Sequence, residues 1–253
     1  MKYSPYSASK LAFFAECPKK FYFRYIEKPD IPKEPEKKFF EKGHFFHHVL
    51  RYYPDKKPFY FRVSDSTDVD EYEKVLTRVL KSDRIIKLTR EPCAREKSFK
   101  IFEGWQVAGG KSLFRGYIDY LTVRLSKNEA EIIDWKTGKV YPDKSSSQLM
   151  IYAIWLFLQD QEKGQGKINT ITCSYYYLEH EQEITHVFHK KDIQDLIQHF
   201  DEQINTIEKE EEFPKKLNKW CHNCDFFDYC DPHKPENLNL GDFKDGKIYR
   251  KRT

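Results

Sequence analysis

Apolar residues recur at helical spacing over residues 7–27, where Leu11, Phe14, Phe21, Tyr22 and Tyr25 predict a helix with Ser7 as its N-cap. Pro18 cannot continue the ladder, so Cys17-Pro18 marks a turn or a break. Residues 28–42 hold three prolines and many charges and predict a mobile surface loop. A second helix is expected over 42–52 and a third over 68–81, with Val69, Tyr72, Val75, Leu76 and Val79 on one face. From Arg95 to Trp135 the period falls to two, which predicts three or four antiparallel strands turning at Gly109-Gly110 and Lys127-Asn128. Its last segment, 130–135, reads as a short buried strand. Residues 147–161 form a strongly apolar helix suited to lying on a sheet. Strands follow at 169–178 and 183–188, then an amphipathic helix at 190–209. A charged linker, 210–219, leads to a cysteine-rich segment, and the tail 244–253 carries five basic residues against one acid. No internal repeat is visible.

A chain of 253 residues can bury a full core. The expectation is a single domain, with residues 1–27 and 210–232 supplying the cysteine region and 233–253 a tail. The formal charge of +4 is mildly permissive for nucleic acid, because local patches matter more than the total. Between residues 19 and 25, Lys19, Lys20 and Arg24 alternate with aromatic rings. Such a mixture can stack bases and neutralise phosphates, or can be a half-buried helix with solvated lysines. The opening Met1-Lys2-Tyr3-Ser4-Pro5 has no signal-type apolar region, and the longest apolar run, 149–158, is too short to span a bilayer. A cytoplasmic protein with no membrane partner is expected. Gly110-Lys111-Ser112 is not a phosphate loop, since the required first glycine falls at Trp105; an ATPase is excluded.

Candidate chemistry centres on Glu131-Ile132-Ile133-Asp134-Trp135-Lys136-Thr137-Gly138. An acid two residues before a lysine at a strand end puts both side chains on one side of the pleat. The carboxylate suits a hard divalent cation and the ammonium a developing negative charge, the pairing that phosphodiester hydrolysis needs. Asp-x-Lys alone is weak evidence. Asp119, in Phe114-Arg115-Gly116-Tyr117-Ile118-Asp119-Tyr120, adds a second carboxylate from a neighbouring strand, as a Mg²⁺ or Mn²⁺ site requires. His47 offers an imidazole from the second helix, and Gln148 and Tyr152, four apart, share a helix face. Of six cysteines, Cys93 and Cys173 sit in ordinary packing contexts. Cys17, Cys221, Cys224 and Cys230 stand apart as one cysteine followed by proline and a later Cys-x₂-Cys-x₅-Cys; their spacing leaves zinc open.

In order, Gly43-x-x-x-His47, Gly116-x-x-Asp119, Asp134-x-Lys136 and Gln148-x-x-x-Tyr152 resemble the motifs of PD-(D/E)XK nucleases of the RecB type. The four cysteines, with Ser7-x-Ser9-x-x-x-Phe13 leading into Cys17-Pro18-Lys19-Lys20-Phe21, resemble the iron–sulfur subgroup. That subgroup includes AddB-type helicase–nuclease subunits and CRISPR-associated exonucleases of spacer acquisition. The resemblance spans about residues 7–230. It implies an α/β, restriction-endonuclease-like mixed sheet flanked by helices. It implies metal ligation by His47, Asp119, Asp134 and the main-chain carbonyl of Trp135, with Lys136 acting on the attacking water and the phosphorus. Gln148 and Tyr152 would support the site or position the strand. It favours a [4Fe–4S] cluster on Cys17, Cys221, Cys224 and Cys230 over Zn²⁺. It implies a metal-dependent DNA nuclease, an exonuclease on single-stranded ends by preference, partnered by a helicase or by CRISPR adaptation proteins. The alternative of another class is a DNA-binding scaffold that keeps the fold without the reaction.

Overall fold

The computed structural model describes residues 1–30, 38–53, 69–142 and 145–230. The tail expected at 244–253, and residues 31–37 of the proline-rich loop expected at 28–42, lie outside the described residues. The chain divides into two compact units: Met1–Ala8 with Glu34–Glu202, and Ser9–Lys33 with Gln203–Thr253.

The first unit is built on a five-stranded mixed sheet in the order β1-β2-β3-β4-β5. Strands β1 (Ala94–Phe102), β2 (Ser112–Arg124) and β3 (Glu129–Lys136) run antiparallel to their neighbours. These are the three strands of the period-two segment. β3 then pairs in parallel with β4 (Thr170–Tyr177), which pairs antiparallel with β5 (Gln182–His189). A parallel pair needs a crossover, and the apolar helix α6 (Ser147–Glu162) supplies it.

Side chains alternate across the sheet, and each face has its own cover. On one face Tyr120, Ile133, Trp135, Tyr176 and Leu178 pack with Phe46 and Leu50 of α3 (Lys38–Tyr52), Val79 of α4 (Val69–Lys81), and Ile85 and Leu88 of α5 (Asp83–Arg90). Asp134 alternates away from Ile133 and Trp135, towards α6. Helix α3 begins earlier than its expected start at Lys42. Helix α5 was not apparent in the sequence, because eight residues give barely two turns of period and its extended N-cap, Ser82, separates it from α4.

The second unit brings a segment near the start of the chain, from Ser9, together with the segment that begins at Gln203. Pro18 does break the first helix: α1 (Ala8–Glu16) stops, Cys17 is extended, and α2 (Pro18–Tyr22) restarts with proline at its first position, where no N–H is missed. A single π-turn, Phe23–Glu27, follows. The expected linker at 210–219 is a packed segment instead. Glu210 Oε1 accepts the N–H groups of Glu211, Glu212 and Phe213, and Phe213, at a left-handed φ of 48°, is buried against Phe14, Phe21 and Tyr22. Phe21 and Phe23 are buried, while Lys10, Lys19 and Lys20 lie over aromatic rings. The bland reading of the aromatic–basic mixture therefore prevails for those two rings, which form a core.

Candidate active site

The ladder between β2 and β3 opens the site. Pairing runs from Arg124–Glu129 to Tyr120–Ile133 and ends there. At the next position a side chain replaces the backbone: Asp119 Oδ2 accepts the Trp135 N–H at 2.8 Å. That bond fixes Asp119 beside Asp134 and leaves its other oxygen free of the backbone. Asp119 and Asp134 are only 7% and 3% exposed. Burial, and then the charge of Asp134, push the Asp119 carboxyl up to about 6.

Gly116 has a steric reason. A Cβ there would lie 2.8 Å from Cε1 of Phe99, whose ring packs against Tyr152 and Trp155 of α6.

Helix α6 holds Asp134 from the other side. Asp134 Oδ1 accepts from Gln148 Nε2 at 2.8 Å and from the Tyr152 hydroxyl at 3.1 Å, and Gln148 Nε2 also donates to the Tyr152 oxygen at 2.6 Å. Lys136 Nζ donates to Gln148 Oε1 at 3.3 Å and lies against Asp134 Oδ2. Oδ2 is buried and accepts no well-aligned hydrogen bond, the Lys136 contact being one of charge and proximity only. Both donors from α6, Gln148 Nε2 and the Tyr152 hydroxyl, thus go to Oδ1, while Oδ2 faces Lys136.

His47 arrives from α3. Its Nδ1 lies 3.2 Å from Asp119 Oδ1 and 3.7 Å from Glu96 Oε1, and its Nε2 lies 3.2 Å from the Trp135 carbonyl oxygen. Burial pulls the imidazolium down, but hydrogen bonding to Asp119 and Glu96, with the charges of Asp119 and Asp134, raises it to about 10. With acceptors near both nitrogens, the ring spans two groups expected to bind a metal. Ligand atoms of His47, Glu96 and Asp119 all lie within 4.8 Å of one another. Two carboxylate oxygens and an imidazole nitrogen suit Mg²⁺ or Mn²⁺, with the imidazole biasing towards Mn²⁺.

A family model of the PD-(D/E)XK nuclease superfamily matches residues 5–231. The chain belongs to that superfamily. Members are generally metal-dependent nucleases using Mg²⁺ or Mn²⁺, and the sheet and its helices fit the restriction-endonuclease-like fold. No curated protein matches the chain. The solved structure of SSO0001 aligns over 90% of this chain and 86% of its own, at 15% identity and a TM-score of 0.33, a likeness too loose to carry an argument.

The structure brings together every residue that the sequence singled out for this site: His47, Asp119, Asp134, Trp135, Lys136, Gln148 and Tyr152. It adds Glu96, which lies in the charged run Arg95-Glu96-Lys97 and gave no signal of its own. Cys173 is buried in β4, whereas Cys17, Cys221, Cys224 and Cys230 line one cavity of the second unit, with Phe23, Leu217 and Phe226. Burial raises the Cys221 and Cys224 thiols and pushes Cys230 up to about 11. The four sulfurs do not form a group as tight as that around His47. No described helix is long and apolar enough to cross a membrane.

Proposed function

We propose that this member of the superfamily is a deoxyribonuclease of the RecB type that hydrolyses DNA as an exonuclease on single-stranded ends. The observation that carries the reading is Asp134. It is a buried carboxylate with one oxygen anchored by Gln148 and Tyr152 and the other turned, without a well-aligned donor, towards Lys136. Burying such an oxygen costs free energy that the Lys136 charge offsets in part and a divalent cation would offset further. His47, Asp119 Oδ1, Asp134 Oδ2 and the Trp135 carbonyl would hold Mg²⁺ or Mn²⁺. The bound ion would activate water and neutralise charge on the phosphate. Lys136, steadied by Gln148, would donate to the attacking water or to a phosphate oxygen as negative charge develops. Gln148 and Tyr152 would hold Asp134 in the orientation that faces the ion.

The same reading assigns Cys17, Cys221, Cys224 and Cys230 to a [4Fe–4S] cluster with a structural role. Two backbone donors already point at sulfur, Lys216 N–H to Cys17 at 3.4 Å and Asn218 N–H to Cys221 at 3.3 Å, as thiolate ligands of a cluster favour. Zinc at about 2.3 Å from each sulfur would need a tighter tetrahedron than these side chains form. A helicase or CRISPR adaptation proteins are the partner classes this assignment suggests.

The test is cleavage of end-labelled single- and double-stranded DNA with Mg²⁺ or Mn²⁺, comparing wild type with Lys136→Ala. Metal-dependent shortening from single-stranded ends, reduced at least about 10³-fold in the variant, is expected. Equal cutting by both proteins refutes the catalytic assignment, and internal cuts in a circular substrate refute the exonuclease mode.

A further inference from the structure

We infer that Glu96 is a positioning residue for the metal site: it holds the Nδ1–H of His47 so that the Nε2 lone pair faces the cation. The inference rests on the metal-site reading above and adds a residue to it.

Asp119 Oδ2 is occupied by the Trp135 N–H at 2.8 Å, so Oδ1 is the oxygen it has left for a cation. That same Oδ1 faces His47 Nδ1 at 3.2 Å. Once Oδ1 turns to a cation, the Nδ1–H must find another acceptor, and Glu96 Oε1 already stands 3.7 Å away. On the far side of the ring, Nε2 lies 3.2 Å from the Trp135 carbonyl, a separation that two neighbouring ligands of one ion can share. Metal-bound imidazoles commonly donate their other N–H to a carboxylate, which fixes tautomer and ring orientation.

The backbone agrees. Glu96 stands opposite Asp119 in register, between the pairs Arg95–Tyr120 and Lys97–Ile118, with φ at 49°. A left-handed residue inside a strand is uncommon for glutamate, and it turns this side chain, 21% exposed, onto the His47 ring. Asp134 Oδ2, buried with Lys136 Nζ against it and no well-aligned hydrogen bond, is a second carboxylate oxygen at the same site.

The experiment is Mn²⁺ binding to the full-length protein, by calorimetry and by the resonance of free Mn²⁺, across His47→Ala, Glu96→Ala and the double variant. Glu96→Ala is expected to weaken binding about 10–100-fold. In the His47→Ala background, the same change should cost less than about 2-fold, because Glu96 acts through the ring. Glu96→Gln, which keeps a carbonyl acceptor, should restore most of the affinity. Additive losses in the double variant would make Glu96 a direct ligand and overturn the inference, as would wild-type affinity in Glu96→Ala. If His47→Ala binds Mn²⁺ as wild type does, the metal-site reading itself fails. Glu96→Gly keeps the left-handed backbone without strain and serves as the second variant if Glu96→Ala does not fold; it too should bind 10–100-fold more weakly, and wild-type affinity there would equally overturn the inference.

Discussion

Asp134 shows at the residue scale how a functional group opposes stability. One of its oxygens is fully engaged and the other is buried beside Asp119 with only the Lys136 charge against it. Asp134→Asn removes the like charge while keeping the acceptor for Gln148 and Tyr152. Without metal, the variant should unfold at a temperature a few degrees higher, a gain of about 1 kcal/mol. It should also lose the further rise that Mg²⁺ gives wild type. Thermal melts with Mg²⁺ and with chelator test both parts, and a lower melting temperature in chelator would contradict the first. Asp134 and Lys136 were legible because the strand period and a two-residue spacing are local properties. Glu96 was not. Its role depends on a left-handed backbone at one residue and on a histidine from another helix, neither of which periodicity records.

At the scale of elements, the end of the sheet away from the site is held by charge. Glu131 of β3, its side chain 9% exposed, contacts Arg84 of α5 and accepts from Arg124 of β2 at 2.8 Å; Arg84 also donates to Glu183 of β5 at 2.8 Å. Burial alone would push the Glu131 carboxyl up, but hydrogen bonds from Arg124 and Arg84 outweigh it and hold it below 4.5. A depressed acid stabilises the fold above its unfolded value, and the contribution is lost as pH falls through the folded one. Stability should therefore decline steadily below about pH 4.5. Glu131→Gln should flatten that decline and cost about 1–2 kcal/mol at neutral pH, since Arg84 and Arg124 each lose one charged partner but keep Glu183 and Glu91. Urea titrations from pH 3 to 7 measure both; an unchanged acid slope would remove Glu131 from the account. The strands and α6 were legible from periodicity and length. Helix α5 was too short for its period to register, and the packed segment around Phe213 was hidden by the charges that flank it.

For the molecule as a whole, the second unit takes one part from residues 9–33 and the other from beyond 203. Cys17 and Cys221, 204 positions apart, line the same cavity. A group bound by both would remove loop-closure entropy from the unfolded chain, on the order of several kcal/mol by analogy with a disulfide. Cys221→Ala should thus yield colourless protein without iron, in which the second unit exchanges its amides freely while β3 and α6 stay protected. Iron analysis and hydrogen exchange would show it, and a brown, iron-loaded variant would exclude Cys221 as a ligand. The same separation has a consequence in time. Translation adds about 5–20 residues per second, so Cys17 leaves the ribosome on the order of 10–40 s before Cys221. Cys224 and Cys230 come later still. On the proposed assignment, whatever delivers a cluster would have to wait until almost all the described chain had been made, so its arrival would be a late step of biogenesis and its presence a mark of a chain read through at least to Cys230.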